Sequence, residues 1–345
     1  MNTKYYDGTK LLSLMDINGN KPEIYICTSN RSAGKTTYFS RLLVNRFKKH
    51  GEKFALIYRF NYELDQCADK FFKDINKLFF QGDELISKRF AHGIFHELYL
   101  NGDICGYAIA LNNADQIKKY SHFFSDVSRL MFDEFQSETN HYCNDEVTKL
   151  LSIHTSIARG NGEQSRYVPV YMISNPVSLI NPYYTALNIS YRLNKDTRFL
   201  KGDGFVLEQG YNESASNAQL SSAFNRAFSD HEYMQYNAHG VYLNDNLAFI
   251  ETPKTNGKYV CTLRYNGKSY GIRQYPEQGF LYCDNRPDET YPVKFSITTE
   301  DHNINYVMIR QNRFLIDMLK GYFDTGCFRF KDLLCKEAVF KAISY

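Results

Sequence analysis

An α/β chain carrying a second, smaller α+β domain is what this sequence predicts, and three observations carry the prediction. Strand and helix patterns alternate from Ile24 to Ser174, a Gly-Lys-Thr loop joins the first strand to the first long helix, and beyond a stretch rich in Gly, Asn and Ser at 201–222 the chain turns to short, closely spaced strands followed by two helices. Alternation of the first kind builds a mostly parallel sheet with its site at the strand C-termini. Strands followed by helices build a compact α+β unit. The pattern changes divide the chain into 1–195, a linker or lid over 196–229, and 230–345. A length of 345 residues suits two domains.

The first element is the apolar run Ile24-Tyr25-Ile26-Cys27, followed by Ser29-Asn30-Arg31-Ser32-Ala33-Gly34-Lys35-Thr36-Thr37. Gly-Lys-Thr at a helix start lets backbone N–H groups surround a triphosphate, with Lys35 on the β/γ oxygens and the Thr36 hydroxyl on Mg²⁺. Phe39, Leu42, Leu43 and Phe47 then recur at helical spacing over 35–50, with Lys48, Lys49 and His50 at the dipole's negative end and Gly51 as the stop. Strand, loop and helix stand in the order a P-loop demands. Tyr5 and Tyr6, in the approach segment, have two readings: core packing, or stacking on adenine.

Asn101-Gly102-Asp103 between two apolar runs signals a hairpin. Leu130-Met131-Phe132 then leads into the adjacent acids Asp133 and Glu134. At a strand tip such a pair divides its work, Asp133 serving the metal and Glu134 polarising the attacking water. A water-activating acid points to a nucleotide triphosphatase rather than to a small-molecule kinase. Asn144 is a plausible cap for a helix to Arg159, whose position before Gly160-Asn161-Gly162 leaves two readings, an arginine finger for a neighbouring subunit or compensation of the helix dipole. The strand Val168–Ser174 ends at Asn175-Pro176, where Asn175 is a candidate γ-phosphate sensor or simply starts a turn.

Gly51-Glu52-Lys53-Phe54, Asp133-Glu134-Phe135, the arginine inside the loop and the run from Ser174 through Asn175-Pro176 to Asn181-Pro182-Tyr183 together resemble the DNA-packaging (encapsidation) ATPases of phi-29-like small tailed bacteriophages, relatives of the large terminases. The resemblance spans nearly the whole chain and thins between about 195 and 222. It implies a P-loop NTPase domain of the ASCE type followed by an RNase H-like domain that has lost its nuclease activity. ATP and Mg²⁺ are implied as substrate and cofactor, with Lys35, Thr36 and Asp133 on triphosphate and metal. Glu134 is implied as the catalytic acid, Arg31 as a γ-phosphate contact in cis and Arg159 as a finger in trans. The implied partners are double-stranded DNA, the portal vertex of the prohead and further copies of the chain in a ring, expected to be a pentamer, with a packaging RNA left open. The implied setting is the host cytoplasm, on the prohead during packaging and not in the mature virion. Ser29 and Ser32 depart from glycines of the family pattern, and Asn61 stands where a lysine is expected after Arg59. Serine is small enough to keep the turn but tolerates positive φ less readily than glycine.

Composition narrows the field further. A net charge of +3 is too small to make the whole surface a nucleic-acid magnet, so DNA contact must come from local cations; Lys88-Arg89, Lys118-Lys119, Lys195 and Arg198 are candidates. Eight cysteines without a C-x-x-C pair suit reduced, buried thiols. No apolar run approaches the roughly 18 residues of a membrane span, and no membrane partner is expected. In the last third, strands are expected at Val241–Leu243, Leu247–Glu251, Tyr259–Arg264, Ser269–Gln274 and Phe280–Cys283, with helices near Ala223–Tyr236, Asn303–Phe323 and Phe330–Ile343. Glu251, Glu277, Asp284 and Asp288 lack the strand-end pairing of Asp133 and Glu134, which favours a retired nuclease there. Two other functions fit the first domain alone: a DNA helicase or replication-initiator ATPase, and a structural protein that binds the nucleotide without turnover.

Overall fold

The computed structural model of the chain describes residues 5–139, 141–159, 162–190, 192–193, 197–228 and 249–344. They form two compact units, Met1–Leu187 with Leu193–Asn244 and Asn188–Arg192 with Asp245–Tyr345. The first unit takes in the described residues 197–228, where the sequence pattern reads a linker or lid between domains at 1–195 and 230–345.

The first unit is built on one sheet. Its strands are β1 (Ile24–Thr28), β2 (Lys53–Tyr58), β3 (Leu85–Phe90), β4 (Phe95–Leu100), β5 (Asp103–Ala110), β6 (Val127–Asp133), β7 (Val170–Ser174), β8 (Phe199–Gly202) and β9 (Phe205–Gln209). They lie in the order β3-β4-β5-β2-β6-β7-β1-β9-β8. The six from β5 to β9 run parallel, and β4, β3 and β8 add antiparallel edges. Strands covered on both faces are apolar throughout, which is why β1, β2 and β7 read as short unbroken hydrophobic runs. Strand β7 lies between β1 and β6, the inserted strand of the ASCE arrangement, so the tips of the three strands that end in Thr28, Asp133 and Ser174 are neighbours.

Helices α1 (Thr9–Leu12), α2 (Lys35–His50), α3 (Asn61–Phe79), α4 (Ala114–Lys119), α5 (Glu146–Ala158), α6 (Pro182–Ala186), α7 (Glu213–Ser221) and α8 (Ala223–Ala227) complete the unit. Helix α2 has the expected bounds, stopped by Gly51 at φ +66°. Its buried stripe is Phe39, Leu43 and Val44, with Phe39 packed on Tyr171 of β7 at 5.2 Å between rings.

Several expectations are corrected. Helix α5 begins at Glu146, and Asp145, left-handed at φ +52°, precedes it in place of an Asn144 cap. The segment read as linker supplies β8, β9 and α7. Its Gly and Asn content goes into the two-residue turn Asp203-Gly204 and the Asn212 cap of α7, and Val206 and Leu207 of β9 are fully buried beside β1. Of the helix expected over Ala223–Tyr236, α8 is the described part, and the rest lies outside the described residues.

The second unit carries β10 (Lys258–Tyr265), β11 (Lys268–Tyr275), β12 (Phe280–Asp284), β13 (Lys294–Ser296), β14 (Val307–Met308) and β15 (Phe328–Phe330), in the order β14-β13-β10-β11-β12-β15. Strands β10, β11 and β12 form an antiparallel meander, while β13, β14 and β15 add in parallel at its edges. Asn266 and Gly267, both at positive φ, turn the first hairpin as their types require. The two helices are Arg313–Asp324 and Leu333–Ile343. Their starts are set by Asn312 and Asp332, whose side chains accept from the N–H of Leu315 and Cys335. The expected helix start at Asn303 fails because β14 and a short 3₁₀ turn occupy 307–311. The expected strand Val241–Leu243 lies outside the described residues, as do 247–248 of the strand expected at Leu247–Glu251; of its described part, Ile250 forms a bridge to Phe330.

Candidate active site

Loop 29–34 leaves β1 and feeds α2 through Gly34, at φ +94°. Ser32 stands at φ +62°, so the loop keeps the glycine-like backbone that the sequence pattern demands although a serine occupies it. A left-handed non-glycine costs about 1–2 kcal/mol. Ser29, at the other departure, is buried, and its carbonyl and hydroxyl oxygens accept from Lys35 Nζ at 2.9 and 3.0 Å. The lysine also donates to the carbonyl of Asn30 at 3.3 Å and to Asn175 Oδ1 at 3.2 Å. Lys35 is 6 % exposed, and burial lowers its pKa. The loop is braced from behind by the segment once read as linker. Asn30 Nδ2 donates to the Asn212 carbonyl, Asn212 N–H donates to Asn30 Oδ1, and Gln219 Nε2 donates to Ser32 Oγ at 3.0 Å.

Strand β6 delivers the acids. Asp133 shares a hydrogen bond with the Thr36 hydroxyl, and burial raises its pKa against the opposing pull of Thr36 and Lys35. Two oxygen donors set side by side, one a carboxylate, fit a hard divalent cation that takes its remaining ligands from phosphate and water. Glu134 follows at φ +54° and is solvent-exposed. The surrounding protein and then the Asp133 and Glu138 carboxylates raise its pKa, with Arg31 opposing. Asn175, at the tip of the intervening β7, sits between lysine and acids, as its bond to Lys35 records.

Arg31, Ser32, Ala33, Gly34, Lys35, Thr36, Thr37, Asp133, Glu134 and Asn175 line a single cavity of about 620 Å³. Tyr5 lines it too and is 60 % exposed. Tyr6 lines the cavity as well, but its ring packs against Tyr38 and Phe39 and its hydroxyl donates to Glu208, as the core reading expects. Arg31 forms a 3.4 Å ion pair with Glu138 at the cavity edge. The structure does not bring Arg159 into this cavity. Helix α5 starts beside the acids and, at 13 residues, is about 20 Å long. Arg159, exposed, follows its far end, where His154 and Arg166 bond to the carbonyls of Val168 and Val127 near the N-terminal ends of β7 and β6, away from the strand tips that carry the site.

Three residues of this site carry no motif in the sequence. Gln136, buried, accepts at Oε1 from the N–H groups of Val177 and Ser178 and so joins the β6 tip to the β7 tip. Arg59, at the end of β2, is 7 % exposed and donates to the carbonyls of Glu134 and Phe135 and to Glu146 Oε2. Glu146, 3 % exposed, completes the pair. Breaking a buried pair of this kind by removing one partner costs about 3–5 kcal/mol. The only signals in the sequence were an arginine at a strand end and an acid in a first helical turn, both common.

A parallel sheet with the inserted strand, a phosphate loop opening a helix, and an acid pair facing that loop's lysine across one cavity define a P-loop ATPase of the ASCE class. Residues 2–344 match the family of podovirus DNA encapsidation proteins (Gp16), and the chain belongs to that family. It is 27 % identical over 315 residues to the DNA packaging protein of Bacillus phage phi29, covering 90 % of each chain. It superposes on a chain of the bacteriophage Phi-29 viral genome packaging motor assembly with a TM-score of 0.74 at 26 % identity, covering 99 % of this chain and 100 % of that one. A chain of a Phi-28 DNA packaging motor shares the fold at a TM-score of 0.62 and 16 % identity, over 100 % and 99 % of the two chains.

Proposed function

We propose that this encapsidation ATPase hydrolyses ATP in the 620 Å³ cavity and uses the cycle to drive double-stranded DNA into a preformed prohead. The observation that carries the proposal is the facing of Lys35, Asn175, Asp133 and Glu134 at the tips of three adjacent strands. Family membership favours packaging over the helicase and initiator readings. Lys35 and the loop N–H groups bind the β- and γ-phosphates, and Asn175 is released from Lys35 to contact the γ-phosphate. Thr36 and Asp133 are the residues that would hold Mg²⁺, which when bound offsets the phosphate charge. Glu134 takes the proton of the attacking water, and Arg31 faces the same oxygens from its own subunit.

The placement of Arg159 supports action in trans, on a neighbour in a ring for which five copies are the expected number. The prohead portal belongs to the same reading, as do work in the host cytoplasm and absence from the mature virion, with a packaging RNA left open. In the second unit Asp284 is paired with Arg273 at 2.9 Å, Glu251 with Arg329 at 3.0 Å, and Asp288 accepts from Thr290. Among the described residues no cluster of three metal-ligating side chains occurs. These contacts support an RNase H-like unit that binds partners rather than cutting nucleic acid. The test is Glu134→Gln, expected to bind ATP normally and to lose about 10²–10⁴ in DNA-stimulated hydrolysis. Full hydrolysis by that variant would overturn the assignment. Rings mixed with Arg159→Ala subunits are expected to lose more activity than the variant's share of the subunits, and proportional loss would return Arg159 to the dipole reading.

A further inference from the structure

Glu134 reaches the cavity only because its backbone is left-handed. Extended or right-handed φ at that position would turn its side chain from the phosphate loop, and glutamate has no intrinsic preference for φ +54°. Something must hold it there. Its own N–H donates to Asp133 Oδ1 at 3.0 Å, and the next N–H, of Phe135, donates to the Ile173 carbonyl at 3.3 Å. The carbonyl side of the turn is held by one group, the Arg59 guanidinium. Nη1 and Nη2 each stand 3.3 Å from the Glu134 oxygen, and Nη2 donates to the Phe135 oxygen at 2.8 Å.

That guanidinium is itself fixed on every side. Nε donates to Glu146 Oε2 at 2.9 Å, and the rings of Tyr142 and Phe132 lie 5.0 and 5.5 Å from its central carbon. Glu146 in turn accepts from the Cys143 N–H and from the Tyr183 hydroxyl, both at 2.8 Å, and Cys143 Sγ donates back to the Arg59 carbonyl. The Arg59 N–H is taken by Glu63 Oε2 at 2.8 Å. A planar fork with several donors can bridge two carbonyls and a carboxylate at once, which an ammonium cannot do in the same geometry.

We propose that Arg59, clamped by Glu146 and Tyr183, is a positioning residue that holds the turn at Glu134 in the conformation that aims its carboxylate at the attacking water. The proposal rests on Glu134 being the catalytic base, and it assigns to Arg59 no contact with nucleotide. Arg59 therefore acts on turnover and leaves substrate binding alone, and Glu146 and Tyr183 act through it with graded weight.

The experiment uses the full chain and compares DNA-stimulated turnover with the affinity for a non-hydrolysable ATP analogue. Arg59→Lys keeps the charge and loses the fork; kcat is expected to fall at least about tenfold while the analogue's Kd stays within about twofold. Glu146→Gln and Tyr183→Phe, milder changes that test the proposal even if position 59 proves intolerant, are expected to lower kcat in that order with Kd again unmoved. Millimolar guanidinium ion is expected to restore part of the turnover lost in Arg59→Ala, and none of that lost in Glu134→Gln. A merely structural role would lower kcat and analogue affinity together and give no rescue. Turnover within twofold of normal in Arg59→Lys overturns the proposal while Glu134→Gln reports separately on the catalytic assignment.

Discussion

Two turns in the cavity hold a non-glycine residue in the left-handed region, Ser32 at φ +62° and Glu134 at φ +54°, and they are held in opposite ways. The turn at Ser32 takes its course mainly from its neighbours in sequence, Gly34 and the first turn of α2 in the same nine-residue motif, with contacts from Asn212 and Gln219 bracing the loop from behind. The turn at Glu134 is set from a distance, by an arginine 75 residues earlier on β2 and by the acid that heads α5. A local device can be lost or substituted with local consequences. A tertiary device ties the proposed catalytic acid to the packing of β2, α5 and α6, so its failure is expected in turnover rather than in binding. That division between a binding turn and a proposed catalytic turn can be broken by mutation.

The largest combined effect, on binding and turnover together, is expected from Lys35→Ala. Its ammonium bonds three oxygens of the loop and Asn175 Oδ1 beyond it and faces the cavity, so both nucleotide affinity and turnover should fall, the latter by about 10²–10³. Fluorescent ATP-analogue binding beside phosphate release measures the two. Turnover lost with affinity intact would move Lys35 to the catalytic side and break the division.

A smaller effect sharpens the catalytic side. Glu134, exposed at the cavity mouth, has its pKa raised first by the protein atoms that displace water around its carboxylate and then by Asp133 and Glu138. The base form is lost as pH falls through that raised value, so the acidic limb of kcat should lie above the range of an ordinary carboxylate. Glu138→Gln removes one of the charges that raise it. The limb should therefore move to lower pH with the plateau little changed, and a limb that stays fixed would mean that another group sets it.

How much of this was legible follows from the same division. The loop, the acid pair, Asn175 and helix α2 all announce themselves in runs of a few residues, because the chemistry needs those types at those spacings. The mostly parallel core could be read for the same reason, from short apolar runs alternating with amphipathic helices. Arg59, Glu146 and Gln136 could not be read, because each gains its role only when β2, α5 and β7 are side by side, and no spacing encodes that. The segment at 201–222 is not legible because Gly, Asn and Ser content signals a linker or lid, whereas here Gly204 serves one tight turn and Asn212 one helix cap around the buried strand β9. Arg159 shows the limit from the other side, since its partner in the proposed mechanism belongs to another copy of the chain.

The smallest effect is expected where the sequence departs from its own pattern. Ser32→Gly relieves a left-handed serine, a gain of about 1–2 kcal/mol, and surrenders part of it to the greater freedom of glycine in the unfolded chain. It also removes the oxygen that accepts from Gln219. Ser32→Ala removes the same oxygen and keeps the backbone strain, so comparing the two by thermal unfolding separates the terms. Ser32→Gly should be the more stable by about 1 kcal/mol, with nucleotide affinity near normal in both. If glycine proves no better than alanine, the serine is at ease in its left-handed turn. The loop would then owe its shape to the Asn30–Asn212 brace behind it, and the binding turn, like the catalytic one, would be held from a distance.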